Sequence, residues 1–162
     1  MNDHKLQLTH IPQAKAEMLI RKPVAEVFEA FIDPDITSKF WFTKGSGRLK
    51  TDIQVQWDWE VYGASAQVDV KAVDLDKRIL IEWPGETAPT TVEWMFAPRA
   101  DDTTFVSITN SGFTGNADEI VKQVMDATEA FAMVLAGLKA LLEHGIRLNL
   151  VPDRFPDAHV QS

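Results

Sequence analysis

Polar and apolar residues alternate in five separate runs between Ile53 and Thr109. Ile53, Val55, Trp57 and Trp59 share one face of the first run, and Ala66, Val68, Val70 and Ala72 one face of the second. Ile79, Ile81 and Trp83, then Val92, Trp94 and Phe96, then Val106 and Ile108 do the same in the other three. A period of two puts such side chains on one side of a pleated strand. An earlier run, Ala14 to Ile20, places Ala16, Met18 and Ile20 together and predicts a first strand. The separators Tyr62-Gly63, Asp74 to Lys77, Pro84-Gly85 and Pro98 to Asp102 are turn-like. Separators this short join antiparallel neighbours, because a parallel crossover needs about a dozen residues or more.

From Asn116 to His144 the period lengthens to between three and four. Ile120, Val124, Ala127, Phe131, Val134, Leu135, Leu138, Leu141 and Leu142 fall on one face of a predicted helix. Its length is about 29 residues, or ~43 Å, enough to cross a whole sheet. Asn116 and Glu119 have the spacing of a capping box, and Gly145 suits a left-handed terminator. Gly137 lies within the pattern, which implies a close packing contact or a slight bend. Two short helices are predicted after the first strand. Pro23 opens one, with Val24, Val27, Phe28 and Phe31 inward; Asp33-Pro34 caps the next, with Ile36, Phe40 and Trp41 inward. Thr43 to Gly47 reads as a loop. The stretch from Ile146, with Pro152 and Pro156, reads as an irregular tail that Leu148, Leu150, Val151 and Phe155 could tack onto the body.

This order predicts an α+β fold: a curved antiparallel sheet of about six to seven strands wrapped around the long C-terminal helix, which covers the apolar face. We expect one domain over 1–145 and a tail over 146–162, packed on the domain or extending from it. A chain of 162 residues is long enough for one substantial core. Sixteen basic against 24 acidic residues give a net charge of -8, which argues against nucleic acid and anionic membranes as partners. The absence of cysteine excludes disulfides, thiolate catalysis and thiolate metal sites. The polar N-terminus, Met1-Asn-Asp-His-Lys, does not read as a secretory signal, and no apolar run approaches a membrane span. A cytoplasmic protein without membrane insertion is the expectation.

Three stretches resemble a known family. Ile20-Arg-Lys-Pro-Val-Ala-Glu-Val-Phe-Glu-Ala-Phe31 runs into Asp33-Pro34 and Lys39-Phe-Trp-Phe42. The second stretch is Val73-Asp-x-Asp-x-Arg78-Ile-Leu-Ile-Glu-Trp83; the third is Thr91-Val-Glu-Trp94 through Phe105-Val-Ser-Ile-Thr-Asn-Ser-Gly-Phe113. These resemble the activator of Hsp90 ATPase homologue 1 branch of the START/Bet v1-like (polyketide cyclase-like) superfamily. Asn110 stands where many relatives have histidine, and Gly45-Ser-Gly47 only loosely matches the family's glycine pair. The resemblance implies a helix-grip fold. Members of the wider superfamily hold lipids, hormones or polyketides in the cavity, a few are cyclases or hydrolases, and true cochaperones of the branch stimulate the Hsp90 ATPase, a stress-response role.

The richest candidate residues are aromatic. Trp41, Trp57, Trp59, Trp83 and Trp94 would line a cavity or fill the core; an indole offers large apolar area and one N–H donor. Phe28, Phe31 and Phe40 are expected at a rim formed by the short helices, and Phe113 beside the start of the long helix. Phe131, Val134 and Leu138 should face the cavity from that helix. Tyr62 could bond a ligand from a strand end, Met95 and Met133 could adapt to its shape, and Arg48 or Arg78 could meet a carboxylate. Glu60, Glu82, Glu93, Asp58 and Asp69 fall on solvent faces by parity unless a bulge intervenes. His4, His10, His144 and His159 do not cluster, and no hydrolase or metalloprotease motif occurs, so no catalytic residue, cofactor or metal is assigned. The first expectation is binding of a small hydrophobic or aromatic ligand. The alternatives are a chaperone-directed interaction module and a cyclase- or hydrolase-like enzyme. A homodimer through a strand edge or the short helices is a further expectation.

Overall fold

The computed structural model describes residues 5–161, so His4 lies outside it. The elements are β1 (Ala14–Ile20), α1 (Val24–Ile32), α2 (Pro34–Thr37), β2 (Lys44–Gly45), β3 (Gln54–Trp59), β4 (Ala64–Asp74), β5 (Arg78–Trp83), β6 (Thr90–Pro98), β7 (Thr104–Ser111), α3 (Ala117–His144) and α4 (Leu150–Arg154). Short 3-10 turns occur at Glu60–Tyr62 and Pro156–Ala158. The strands form one antiparallel sheet in the order β1-β7-β6-β5-β4-β3-β2. This is the helix-grip architecture: an open curved sheet holding one long helix.

Strand parity sets the core. Val68, Ile79, Ile81, Val92, Val106 and Ile108 are fully buried from the sheet, as are Leu135 and Leu138 from α3. One register departs from strict alternation. Val70 pairs with Ile81 but Ala72 pairs with Leu80, so a bulge at Lys71 shifts the phase. Val73, opposite Ile79, therefore packs against the core in place of the expected Ala72. Lys44 and Gly45, expected within a loop, pair with Asp58 and Trp57 as a two-residue edge strand.

The caps follow from local chemistry. Pro23 stands just before α1 as its N-cap, and Asp33 ends α1 and caps α2, its Oδ1 accepting the Asp35 N–H at 3.0 Å. At α3, Asn116 Oδ1 accepts the Glu119 N–H at 2.9 Å while Glu119 Oε1 accepts the Asn116 N–H at 3.3 Å, completing the capping box. Gly145 ends α3 with φ of 65°, a conformation that favours glycine. Gly137 marks a close approach: a Cβ there would lie 3.3 Å from both Cβ and O of Phe40. The chain leaving α2 crosses α3 at this point.

Among the strands, α3 lies closest to β1. Its C-terminal end is tied down there, with Lys139 Nζ donating to Leu19 O at 2.8 Å and the Arg21 N–H donating to Glu143 Oε2 at 2.9 Å. Beyond α3 the tail forms α4 instead of remaining irregular. The Tyr62 hydroxyl donates to the Val151 carbonyl, the Val160 N–H donates to Val61 O at 2.8 Å, and Arg154 pairs with Glu129 of α3. No helix among the described residues is long and apolar enough to cross a membrane.

Candidate ligand cleft

Because α3 hugs β1, the strands β3 to β5 lie away from it, and large side chains span the gap. Trp41, on the chain after α2, is the hub. Its ring centroid lies 4.9 Å from Trp57, 6.2 Å from Trp59, 6.0 Å from Trp83, 6.0 Å from Trp94 and 5.9 Å from Phe131. Phe131 stacks on Trp83 at 6.1 Å, and Phe42 stacks on Trp57 at 5.0 Å. Edge-to-face and tilted contacts at these distances add to the apolar area buried.

Two spaces remain between these rings and the tail. One, about 230 Å³, is bounded by Trp41, Trp59, Tyr62 and Trp83, by Ala130, Met133 and Val134 of α3, and by Val151, Arg154 and Phe155 of the tail. The other, about 200 Å³, lies under Arg147 to Pro152 and is lined by Phe40, Trp41, Phe42, Trp59 and Gly137 among others. The tail thus covers both. Tyr62 holds it through its hydroxyl and through edge contacts to Phe155 and His159. Arg154 lies 4.3 Å over the Phe155 ring, and its guanidinium holds the Glu129 carboxyl below the usual carboxylate range against a weaker desolvation effect.

The expected site residues divide between linings and core. Trp41, Trp59, Tyr62, Trp83, Val134 and the adaptable Met133 surround the first space, and Phe40 the second. Trp57, Trp94, Phe131 and Leu138 lie in the packed core outside these linings, at 3 % exposure or less. Phe28 and Phe31 are also core, not rim. Phe28 packs edge-on against Phe96 at 5.1 Å, because α1 lies flat on β6. Met95 is exposed. Arg48 forms a two-pronged pair with Glu29, at 3.0 and 2.8 Å, and Arg78 pairs with Glu93 at 2.6 Å, so both stay on the outer surface. The β4 bulge does not turn Glu82 inward; it pairs across from Asp69 on the outer face.

Tyr62 and Arg154, the polar side chains of the first space other than tryptophan, are engaged with Val151 and Glu129. No group of three or more His, Cys, Asp or Glu among the described residues is placed to hold a metal ion.

A third cleft, about 430 Å³, lies nearer the start of α3 and is lined by Trp83, Pro84, Gly85, Glu86, Thr90, Asn110, Phe113, Gln123, Asp126 and Ala127. Phe113 was expected beside the start of the long helix and is found there. Asn110 and Gln123 went unrecognised as lining residues although a signal existed. Asn110 is in phase with the inward Val106 and Ile108, and Gln123 sits between Ile120 and Ala127 on the apolar helix face.

The profile of the family described as Activator of Hsp90 ATPase homolog 1-like protein matches residues 21–143. No curated protein matches the chain significantly. Among solved structures, protein SSP2350 from Staphylococcus saprophyticus is similar at TM-score 0.73 and 26% identity, over 85% of this chain and 96% of that one. The Aha1 protein from Colwellia psychrerythraea, solved as a dimer, is similar at TM-score 0.70 and 18% identity, over 83% and 98% of the two chains. DynU16, a putative protein of the dynemicin biosynthetic locus, is similar at TM-score 0.72 and 20% identity over 83% of this chain, which spans only 48% of that longer protein. With the profile covering most of the chain and the sheet gripping α3 as described, the protein belongs to the Activator of Hsp90 ATPase homolog 1-like family.

Proposed function

We propose that this protein binds a small aromatic or otherwise apolar molecule in the space between Trp59, Trp83 and α3, beneath the tail. The observation that supports this most directly is an apolar lining of three indoles, closed on one side by a tail that is held by specific hydrogen bonds. Each Å² of apolar guest surface removed from water contributes about 25 cal/mol, so an aromatic guest gains most where rings already face it. Size narrows the class. Sites for drug-sized ligands span about 300–1,000 Å³, whereas this space is about 230 Å³. It therefore suits a one- or two-ring guest, not a steroid or long acyl chain, while the tail is in place.

The test is tryptophan fluorescence during titration with indole, naphthalene and a long-chain fatty acid. Indole or naphthalene should give a saturable change and the fatty acid none. Met133→Trp, which fills the space from α3, should abolish the response. A wild-type protein silent to both ring compounds, or a Met133→Trp protein that binds them unchanged, would overturn this reading.

A further inference from the structure

The cleft on the other side of Trp83 has a different chemistry. Trp83 belongs to both linings, with Ala130 to Val134 of α3 on one side and Gln123 to Ala127 on the other. Asn110 and Gln123 line this cleft and are only 3 % and 6 % exposed. Their amide orientations are settled by their donors. Asn110 Nδ2 donates to Thr91 O at 2.9 Å and to Thr90 Oγ1 at 3.1 Å; Gln123 Nε2 donates to Thr114 O at 3.0 Å and to Glu119 O at 3.1 Å. A carboxamide whose NH₂ faces carbonyls must turn its oxygen the opposite way. Asn110 Oδ1 and Gln123 Oε1 accept no hydrogen bond from any described residue, yet neither is sealed from solvent. Nearly all buried polar groups find a partner in protein or water, so two acceptors left open on one cleft favour a guest that donates over one that accepts.

The rim strengthens that preference. Glu86 and Asp126 place carboxylates there; Lys122 pairs with Asp126 at 2.7 Å, and Glu86 supplies further negative charge. Trp83 and Phe113 provide apolar walls. We infer that this cleft binds a small primary amine carried on a short aromatic or alkyl body, its ammonium donating to Asn110 Oδ1, Gln123 Oε1 and the Glu86 carboxylate. An ammonium has three donors and no acceptor, the complement of two carboxamide oxygens and a carboxylate. A carboxylate guest would meet the carboxamide oxygens and the Glu86 and Asp126 carboxylates, with the nearby Lys122 already paired to Asp126. This site does not depend on the indole-lined space, and either assignment can fail without the other.

Calorimetric titration with three ligands sharing a phenyl body tests it: phenethylamine, 2-phenylethanol and 3-phenylpropionate. Phenethylamine should bind tightest and 3-phenylpropionate weakest, and losing one charge-assisted hydrogen bond should weaken the amine by about tenfold or more. Gln123→Met, which removes one acceptor at similar volume, and Glu86→Gln, on an exposed loop outside α3, should each produce that loss. Met133→Trp, which blocks only the other space, should leave amine binding unchanged. Failure of phenethylamine to bind, equal binding of the carboxylate, or amine affinity that survives both substitutions would overturn the assignment. Glu86→Gln keeps the test valid if Gln123→Met unfolds the start of α3.

Discussion

Trp83 and Trp94 carry the same side chain in opposite circumstances. Trp83 is half-buried, and its Nε1 donates to Thr90 Oγ1 at 3.1 Å. Trp94 is 1 % exposed, and its Nε1 has no hydrogen-bond partner. An unpaired buried N–H costs about 1–3 kcal/mol, and phenylalanine lacks it. Trp94→Phe should therefore offset much of its lost packing and change stability by about 1 kcal/mol or less. Trp83→Phe, which loses both area and a bond, should cost more despite its greater exposure. Urea unfolding of the two variants decides the order, and a costlier Trp94→Phe would refute the argument. Strand alternation made both tryptophans legible as inward-facing. Which indole had found a partner depended on Thr90, the residue directly across from Trp83 at the start of the neighbouring strand.

At the scale of elements, α3 and the tail behave differently. The capping box at Asn116 and Glu119 and the glycine stop at Gly145 are local devices, acting within about four residues, so the ends of α3 were readable from the chain. The tail has no comparable local signal. Asn149 precedes α4 with φ of 56° and gives no side-chain cap. Its order comes from partners distant in sequence: the Tyr62 hydroxyl, Val61 and Glu129. Tyr62→Phe should release it at a local cost of about 1 kcal/mol. Hydrogen exchange should then speed up over residues 150–160 while the global unfolding midpoint stays nearly constant. Unchanged exchange in that stretch would show that apolar packing alone holds the tail.

Across the whole molecule, several carboxylates are held below their ordinary range. The Arg48 hydrogen bond lowers Glu29 from its usual 4.5. For Glu143, burial opposes ionisation, yet hydrogen bonds from Lys139 and the Arg21 N–H and the charges of Lys139 and His144 prevail and lower it from 4.5. Asp58 and Asp101 are lowered mainly by hydrogen bonds from Gln56 and Thr103. A carboxylate with a depressed native value contributes stability that is full above the unfolded value and is lost as pH falls through the native one. Stability should thus decline as pH drops below about 4.5, because the unfolded chain there binds more protons. Urea midpoints measured between about pH 6 and pH 3 should fall on the acid side, and Glu143→Gln should flatten the decline. A midpoint constant over that range would contradict the linkage.

The sequence by itself determined the α+β class, the faces of the strands, the two short helices and the limits of α3, because periodicity, proline placement and capping act over a few residues. Only the tertiary structure decided that Val73 replaces Ala72 in the core, since a bulge is a mismatch between two strands. Likewise, only the distance between sheet and helix decided which indoles fill and which line. Asn110 and Gln123 stood in apolar phase from the start. Whether their oxygens met a donor in the chain or faced an open cleft was a property of the folded packing around them.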